Sequence, residues 1–148
     1  MSTEEANKVV VRRYYEQCFE KADMAAIEEC LAPEILMHDR ELRATRVLFK
    51  DAFDRHIAAF PDHKFLIDHL VAEGDIVAAD TRYTGTHLGV FHWAEYGPWS
   101  PTGRSFCARE ADFFRLAEGK IVEMWVAWDR TTFVRQLGVV DAPSTAQV

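Results

Sequence analysis

Cysteine is scarce: three residues, Cys18, Cys30 and Cys107, in a chain of 148. An odd number with no C-x-x-C spacing suits neither a disulfide framework nor a zinc site. Buried, reduced thiols are the reading for Cys18 on a helix and Cys107 on a strand. Basic excess is also missing: 17 Lys and Arg stand against 24 acidic residues, net charge −7, with no basic patch. That argues against nucleic acid, whose phosphates need cations, and against anionic membranes. No apolar run approaches the length of a membrane span, and "MSTEEANK" is polar and acidic rather than a secretory leader. A cytoplasmic protein is expected. With no repeat, low-complexity tract or linker, one domain over 1–138 and a loose tail over 139–148 are expected.

What the chain has is aromatics, 12% of residues, in a composition otherwise ordinary for a globular protein. Large rings fill cores and also line pockets for apolar ligands. Ser2 and Glu5 make a capping box for a long first helix, in which Tyr15, Cys18 and Phe19 recur at helical spacing. Asp23 caps a second helix that runs to Pro33. "EILMHD" is a short extended piece, and a third helix spans about 46–59 with Phe49, Phe53, Ile57 and Phe60 as its stripe. Two hairpins follow, 63–87 turning at "EGD" and 104–128 turning at "AEG". Between them, 88–100 holds Phe91, His92, Trp93, Tyr96 and Trp99, either a lid or a contact between copies. Residues 130–138 form a closing helix stopped by Gly138. Helices first and strands after predict an α+β fold: a curved antiparallel sheet wrapped around three N-terminal helices, cone-shaped, with a pocket inside.

"SFCAREADFFR" (105–115) poses the sharpest question. Strand alternation sends Glu110 and Asp112 to one face with Phe106, Ala108 and Phe114. Two carboxylates in an apolar hollow repel and resist ionisation, so one holds a proton near neutral pH while the other stays a base. The bland alternative is a wet face, or pairing with Arg109 or Arg82. On "KIVEMWVAWD", Val122, Met124, Val126 and Trp128 share an apolar face. Tyr15, Phe19, Phe53, Trp93 and Trp99 complete the candidate substrate wall. No histidine pair has metal-ligand spacing with a carboxylate, so no metal is expected.

"AFPDH" (59–63), "AEGDIVAADTRYTGTHLG" (72–89), "PTGR" (101–104), "FFRLAEGKIVEMW" (113–125) and "QLG" (136–138) resemble, in order, the SnoaL-like polyketide cyclase family. The resemblance implies the cone-shaped fold of nuclear transport factor 2 and its relatives, homodimers, and intramolecular aldol ring closure without metal or cofactor. It places the family's acid/base aspartate at Val126, a departure that shifts the candidate chemistry to Asp112 and Glu110. It also puts His38 among polar residues of the first strand that reach into the cone. Asp80 and Arg82, on a common strand face, resemble the acid/base set of limonene epoxide hydrolase. The function implied is a cofactor-independent cyclase or isomerase acting on a small hydrophobic polyketide-like or terpenoid intermediate. It would work by proton transfer or by templating a conformer, as in a [4+2] closure. The alternatives are an epoxide-type hydrolase and a non-catalytic carrier.

Overall fold

The computed structural model describes residues 1–93 and 96–139. Helix α1 (Thr3–Arg13) opens on Ser2, whose hydroxyl accepts from Glu5 N at 3.1 Å. The long first helix does not stay α-helical. It widens into a π-helical turn, Tyr14–Phe19, closed by Glu20 N donating to Tyr15 O at 3.0 Å. Such wider turns sit preferentially at functional sites; here the turn brings the adjacent Tyr14 and Tyr15 both into the interior. Helix α2 (Met24–Cys30) is capped by the Asp23 carboxylate, accepting from Ala25 N at 3.0 Å.

Strand β1 (Leu31–Met37) starts directly after α2, so the helix stops short of Pro33 and the proline lies in a strand. Proline lacks a ladder donor and is tolerated where pairing is interrupted; the β1 register indeed shifts between Leu31 and Leu36. Strand β2 (Leu42–Thr45) leads into α3 (Arg46–Ala59) through Thr45, whose hydroxyl accepts from Leu48 N. Strands β3 (Lys64–Glu73) and β4 (Ile76–Thr86) form the first hairpin. Strands β7 (Ser105–Ala117) and β8 (Lys120–Trp128) form the second. Between them, β5 (Phe91–Trp93) and β6 (Tyr96–Trp99) pair as a small separate ribbon. Helix α4 (Arg130–Leu137) closes the described chain, with Gly138 in the left-handed region at φ 71° as its stop. The tail expected over 139–148 lies, from residue 140 on, outside the described residues.

The main sheet runs β2-β1-β8-β7-β4-β3. It curves around the helices but does not close, since β2 and β3 are free edges. Nor is it wholly antiparallel: β1 and β8 pair in parallel. A bulge opposite Leu116 and Arg115 also changes the face of β8. Ile121, not Val122, is the buried residue at its start; Met124, Val126 and Trp128 then face inward as alternation requires. Cys18 and Cys30 are buried, but Cys107 is exposed, because it alternates outward between buried Phe106 and Ala108. No described helix is long and apolar enough to cross a membrane.

Candidate active site

The concave side of the sheet and the helices enclose a cavity of about 240 Å³. Phe19 and Phe53, with ring centroids 4.7 Å apart, wall it from the helices. Met124, Val126 and Trp128 wall it from β8. The β5–β6 ribbon covers one side, with Trp93 edge-on to Trp128 at 5.4 Å and Phe91 set 4.8 Å from Phe60. Phe91, His92 and Trp93 thus belong to the cavity wall, as a lid requires. Trp99 does not line the cavity; it packs behind, 6.2 Å from Phe91.

Glu110 and Asp112 do share the inner face, but unequally. Glu110 lines the cavity, whereas Asp112 lies behind it, 1% exposed. Asp112 is the cross-strand partner of Val126 and Glu110 that of Trp128. The acid on β7 therefore sits directly across the ladder from the position where the resemblance places the family's aspartate. Tyr15 is not a wall residue; its hydroxyl donates to Asp112 Oδ2 at 2.6 Å. Asp112 Oδ1 has no donor facing it. A proton on Glu110 supplies one, since the two carboxyls lie within hydrogen-bonding reach. Burial, the charge of Asp112 and that shared hydrogen bond hold the Glu110 carboxyl well above its usual range. Burial pushes Asp112 up to about 6, against the hydrogen bonds from Glu110 and Tyr15 that favour its charged form. The pair titrates as a unit and keeps one proton near neutral pH.

The other expected catalytic residues lie elsewhere. His38 is one residue out of phase: Met37 points into the cavity, so His38 points out, stacked on Trp125 at 4.3 Å and bonded to Glu123 Oε2 at 2.8 Å. Its neighbours Asp39 and Arg40 line the cavity instead. Asp80 and Arg82 are on the outer face of β4. Arg82 binds Asp68 at 2.8 and 2.9 Å; Asp80 takes Arg109 at 2.7 Å and His69 at 2.9 Å. An inner face of β4 formed by Val77, Ala79, Thr81 and Tyr83 leaves them no route inward. His87 is buried in the bend after β4, its backbone bonded to Arg104 and Gly103. Among the described residues, no group of three or more His, Cys, Asp or Glu is arranged to hold a metal ion.

Sequence reasoning missed His56 and Tyr83, both in the cavity wall. His56 Nδ1 lies 2.9 Å from Tyr83 Oη, which lies 2.8 Å from His63 Nδ1; His63 Nε2 lies 2.9 Å from the Glu20 carbonyl. The signal was present in α3: Phe49, Phe53, His56 and Phe60 follow a 4-3-4 spacing, so His56 falls on the apolar stripe where Ile57 was read. At the mouth, Arg40 lies over Trp93, 5.5 Å from the ring centroid, and Arg55 lines the wall; neither makes an ion pair among the described residues.

Comparisons with known proteins agree with this fold. The family model for SnoaL-like polyketide cyclases matches residues 9–137. TsrD from Streptomyces laurentii superposes with a TM-score of 0.81 at 21% identity, over 95% of this chain and 100% of its own. IdmH from Streptomyces antibioticus, a candidate polyketide cyclase, gives 0.72 at 27% identity over 90% and 99%. A SnoaL-like polyketide cyclase from Agrobacterium tumefaciens gives 0.72 at 20% over 93% and 100%. No curated protein matches the chain.

Proposed function

Since the chain belongs to the SnoaL-like polyketide cyclase family, we propose that it closes a ring in a small, largely apolar polyketide-like intermediate. The proton transfer in this reading is supplied by Glu110. The observation that carries it is the chain Tyr15–Asp112–Glu110, which opens on a largely apolar, aromatic-rich cavity only at Glu110. Asp112, anchored by Tyr15, carries the pair's negative charge. Glu110 holds the proton at the wall, where it can protonate a carbonyl oxygen as the chain folds back on itself. Aromatic walls on both sides favour a folded conformer, and such positioning contributes up to about 7–11 kcal/mol. Arg40 and Arg55 suit a carboxylate or enolate at the mouth.

A test needs no knowledge of the native substrate class beyond this. The purified protein is incubated with a panel of linear 1,3-dicarbonyl esters, and products are separated with mass detection. Ring closure gives a new species of unchanged mass, and Glu110→Gln lowers its rate ~10²–10⁴-fold. In a parallel incubation with a small apolar epoxide, a product heavier by one water indicates a hydrolase. Quenching of tryptophan fluorescence without a product indicates a carrier. Ring closure that Glu110→Gln slows less than about fivefold assigns the reaction to templating by the walls alone.

Pairing of two copies is part of the same reading. Val71, Ala78, Phe113 and Trp125 stand in one cross-strand row on the outer face, with Val71 and Phe113 60% and 49% exposed. Sedimentation of wild type against Phe113→Glu distinguishes a dimer through this row from a monomer.

A further inference from the structure

The three bonds joining His56, Tyr83, His63 and the Glu20 carbonyl fix one another's direction. A carbonyl only accepts, so His63 carries a proton on Nε2. Neutral His63 therefore accepts at Nδ1, and the donor is the Tyr83 hydroxyl. That hydroxyl has spent its one proton, so it accepts from His56, which must be protonated on Nδ1. His56 Nε2 is thereby left as a bare lone pair. It has no partner among the described residues, yet it is not a buried orphan, which leaves the cavity for it to face.

We propose that His56 Nε2 is the cavity's proton acceptor, and that Tyr83 and His63 form a relay that moves the accepted charge out of the cavity. This rests on the ring-closing reading above and supplies a base to complement the Glu110 acid. When Nε2 takes a proton from a substrate carbon, the Nδ1 proton of His56 passes to Tyr83 Oη. The Tyr83 proton passes to His63 Nδ1. One proton has entered, none has left, and the positive charge rests on His63. All three hydrogen bonds survive, two with donor and acceptor exchanged.

The surroundings favour that direction. His56 is packed by Phe19 at 4.9 Å and Phe91 at 5.1 Å, and the Arg55 cation, with any charge placed on His63, acts on it. Burial first, and those charges second, disfavour a proton held on His56 itself. His63 instead lies beside the Asp62 carboxylate, which responds to its charge, and its Nε2–H stays on a carbonyl. Burial first, and the nearby acids Glu110, Asp62 and Glu20 after it, keep the Tyr83 phenol protonated between the two histidines.

Nitrogen NMR of selectively labelled histidine in the full chain tests this without a substrate. At high pH, His56 is expected to carry its proton on Nδ1 and His63 on Nε2. On lowering the pH, His63 becomes cationic while His56 stays neutral and switches its proton to Nε2 in the same step. In Tyr83→Phe the switch no longer follows His63. His56 protonated on Nε2 at high pH, or cationic before His63, overturns the relay.

The second measurement uses 5-nitrobenzisoxazole, a proton-abstraction probe. Its C3–H proton goes to the base, the C–H electron pair completes a nitrile, and the N–O bond breaks to give a coloured phenolate. Wild type is expected to accelerate this, with His56→Phe slowing it at least tenfold and by the same factor in a Glu110→Gln background. Tyr83→Phe is expected to slow it as well, because the accepted charge can no longer be passed to His63. A wild type no faster than buffer overturns the proposal. So does a His56→Phe variant as fast as wild type in which Glu110→Gln removes the rate, and that outcome leaves the carboxyl reading standing. Loss of the His56 dependence with ring closure still sensitive to Glu110 separates the two in the same way.

Discussion

One hydroxyl decides how the acidic pair divides its labour. Tyr15 and Asp112 are 97 residues apart in sequence and 2.6 Å apart in space. The phenol donates to Asp112 Oδ2, and a hydrogen bond to a charged group contributes about 1.5–3 kcal/mol. It stabilises ionised Asp112 and so leaves the shared proton on Glu110, at the cavity wall. Tyr15→Phe removes that preference. Asp112 then protonates more readily, and the lower apparent pKa of the pair rises by about one to two units. Because the proposed working state holds one proton, the acid limb of the pH–rate profile is expected to move to higher pH by that amount. A profile of kcat for whichever dicarbonyl ester is cyclised checks this; an unmoved limb removes Asp112 from the working pair. Alternation along β7 was legible in the sequence and put both carboxyls on the inner face. Their ranking was not, because it depends on how deep the tyrosine of a distant helix reaches. His38 failed for a related reason: its parity on β1 is set where Leu31–Met37 meets β8, a parallel pairing with a register shift that no local pattern encodes.

At the scale of elements, the β5–β6 ribbon depends on a single glycine. Leu88 N and Gly89 N both donate to Ala59 O at 3.0 Å, pinning the ribbon to the end of α3. A Cβ on Gly89 would sit 2.1 Å from Ala58 O, backbone that cannot swing aside. Gly89→Ala is therefore expected to cost about 1–3 kcal/mol, or more if the ribbon cannot shift. It should also lift Trp93 off Trp128, visible as a change in near-ultraviolet circular dichroism alongside a lower urea midpoint. An unchanged spectrum and midpoint would show that the ribbon is not anchored there. The helices and both large hairpins were readable from caps, turns and periodicity, since those signals lie within a few residues. The π-helical turn, the short β2, the ribbon and the parallel β1–β8 contact were not. Each is fixed by its partners in the fold: Tyr14 and Tyr15 against Phe114, Ala44 of β2 against Ile35, Phe91 against Phe60, Leu31 against Ile121. The His56–Tyr83–His63 chain escaped for the same reason, its members being 27 and 20 residues apart.

For the whole molecule, the two polar clusters of the cavity pull stability in opposite directions with pH. Burial lowers His56 from 6.5 to about 3, and lowers His87 as well. A histidine depressed in the folded state stabilises above its unfolded value, and that stability is lost as pH falls below 6.5. Asp112, raised from 3.8 to about 6, behaves in reverse. The folded state binds its proton more tightly, so this contribution is present at low pH and is lost as pH rises from about 4 to about 6. Each group alone gives a slope of about 1.4 kcal/mol per pH unit. Between about 4 and 6 the slopes of His56 and Asp112 cancel, and above about 4.5 that of Glu110, raised well above its ordinary value, is opposed by that of His87. Above 6.5 the histidines are silent, and the decline from Glu110 is unopposed. The expected curve from chemical denaturation is a plateau from about pH 4 to 6.5 followed by a fall. Removing both acids with Glu110→Gln and Asp112→Asn should abolish the fall and leave stability dropping as pH is lowered through 6.5. His56→Phe should do the opposite, with stability rising as pH is lowered from 6 towards 4. If either variant keeps the wild-type plateau, the two clusters do not hold opposite protonation states, and a neutral Glu110 facing an unprotonated His56 across one cavity is no longer tenable.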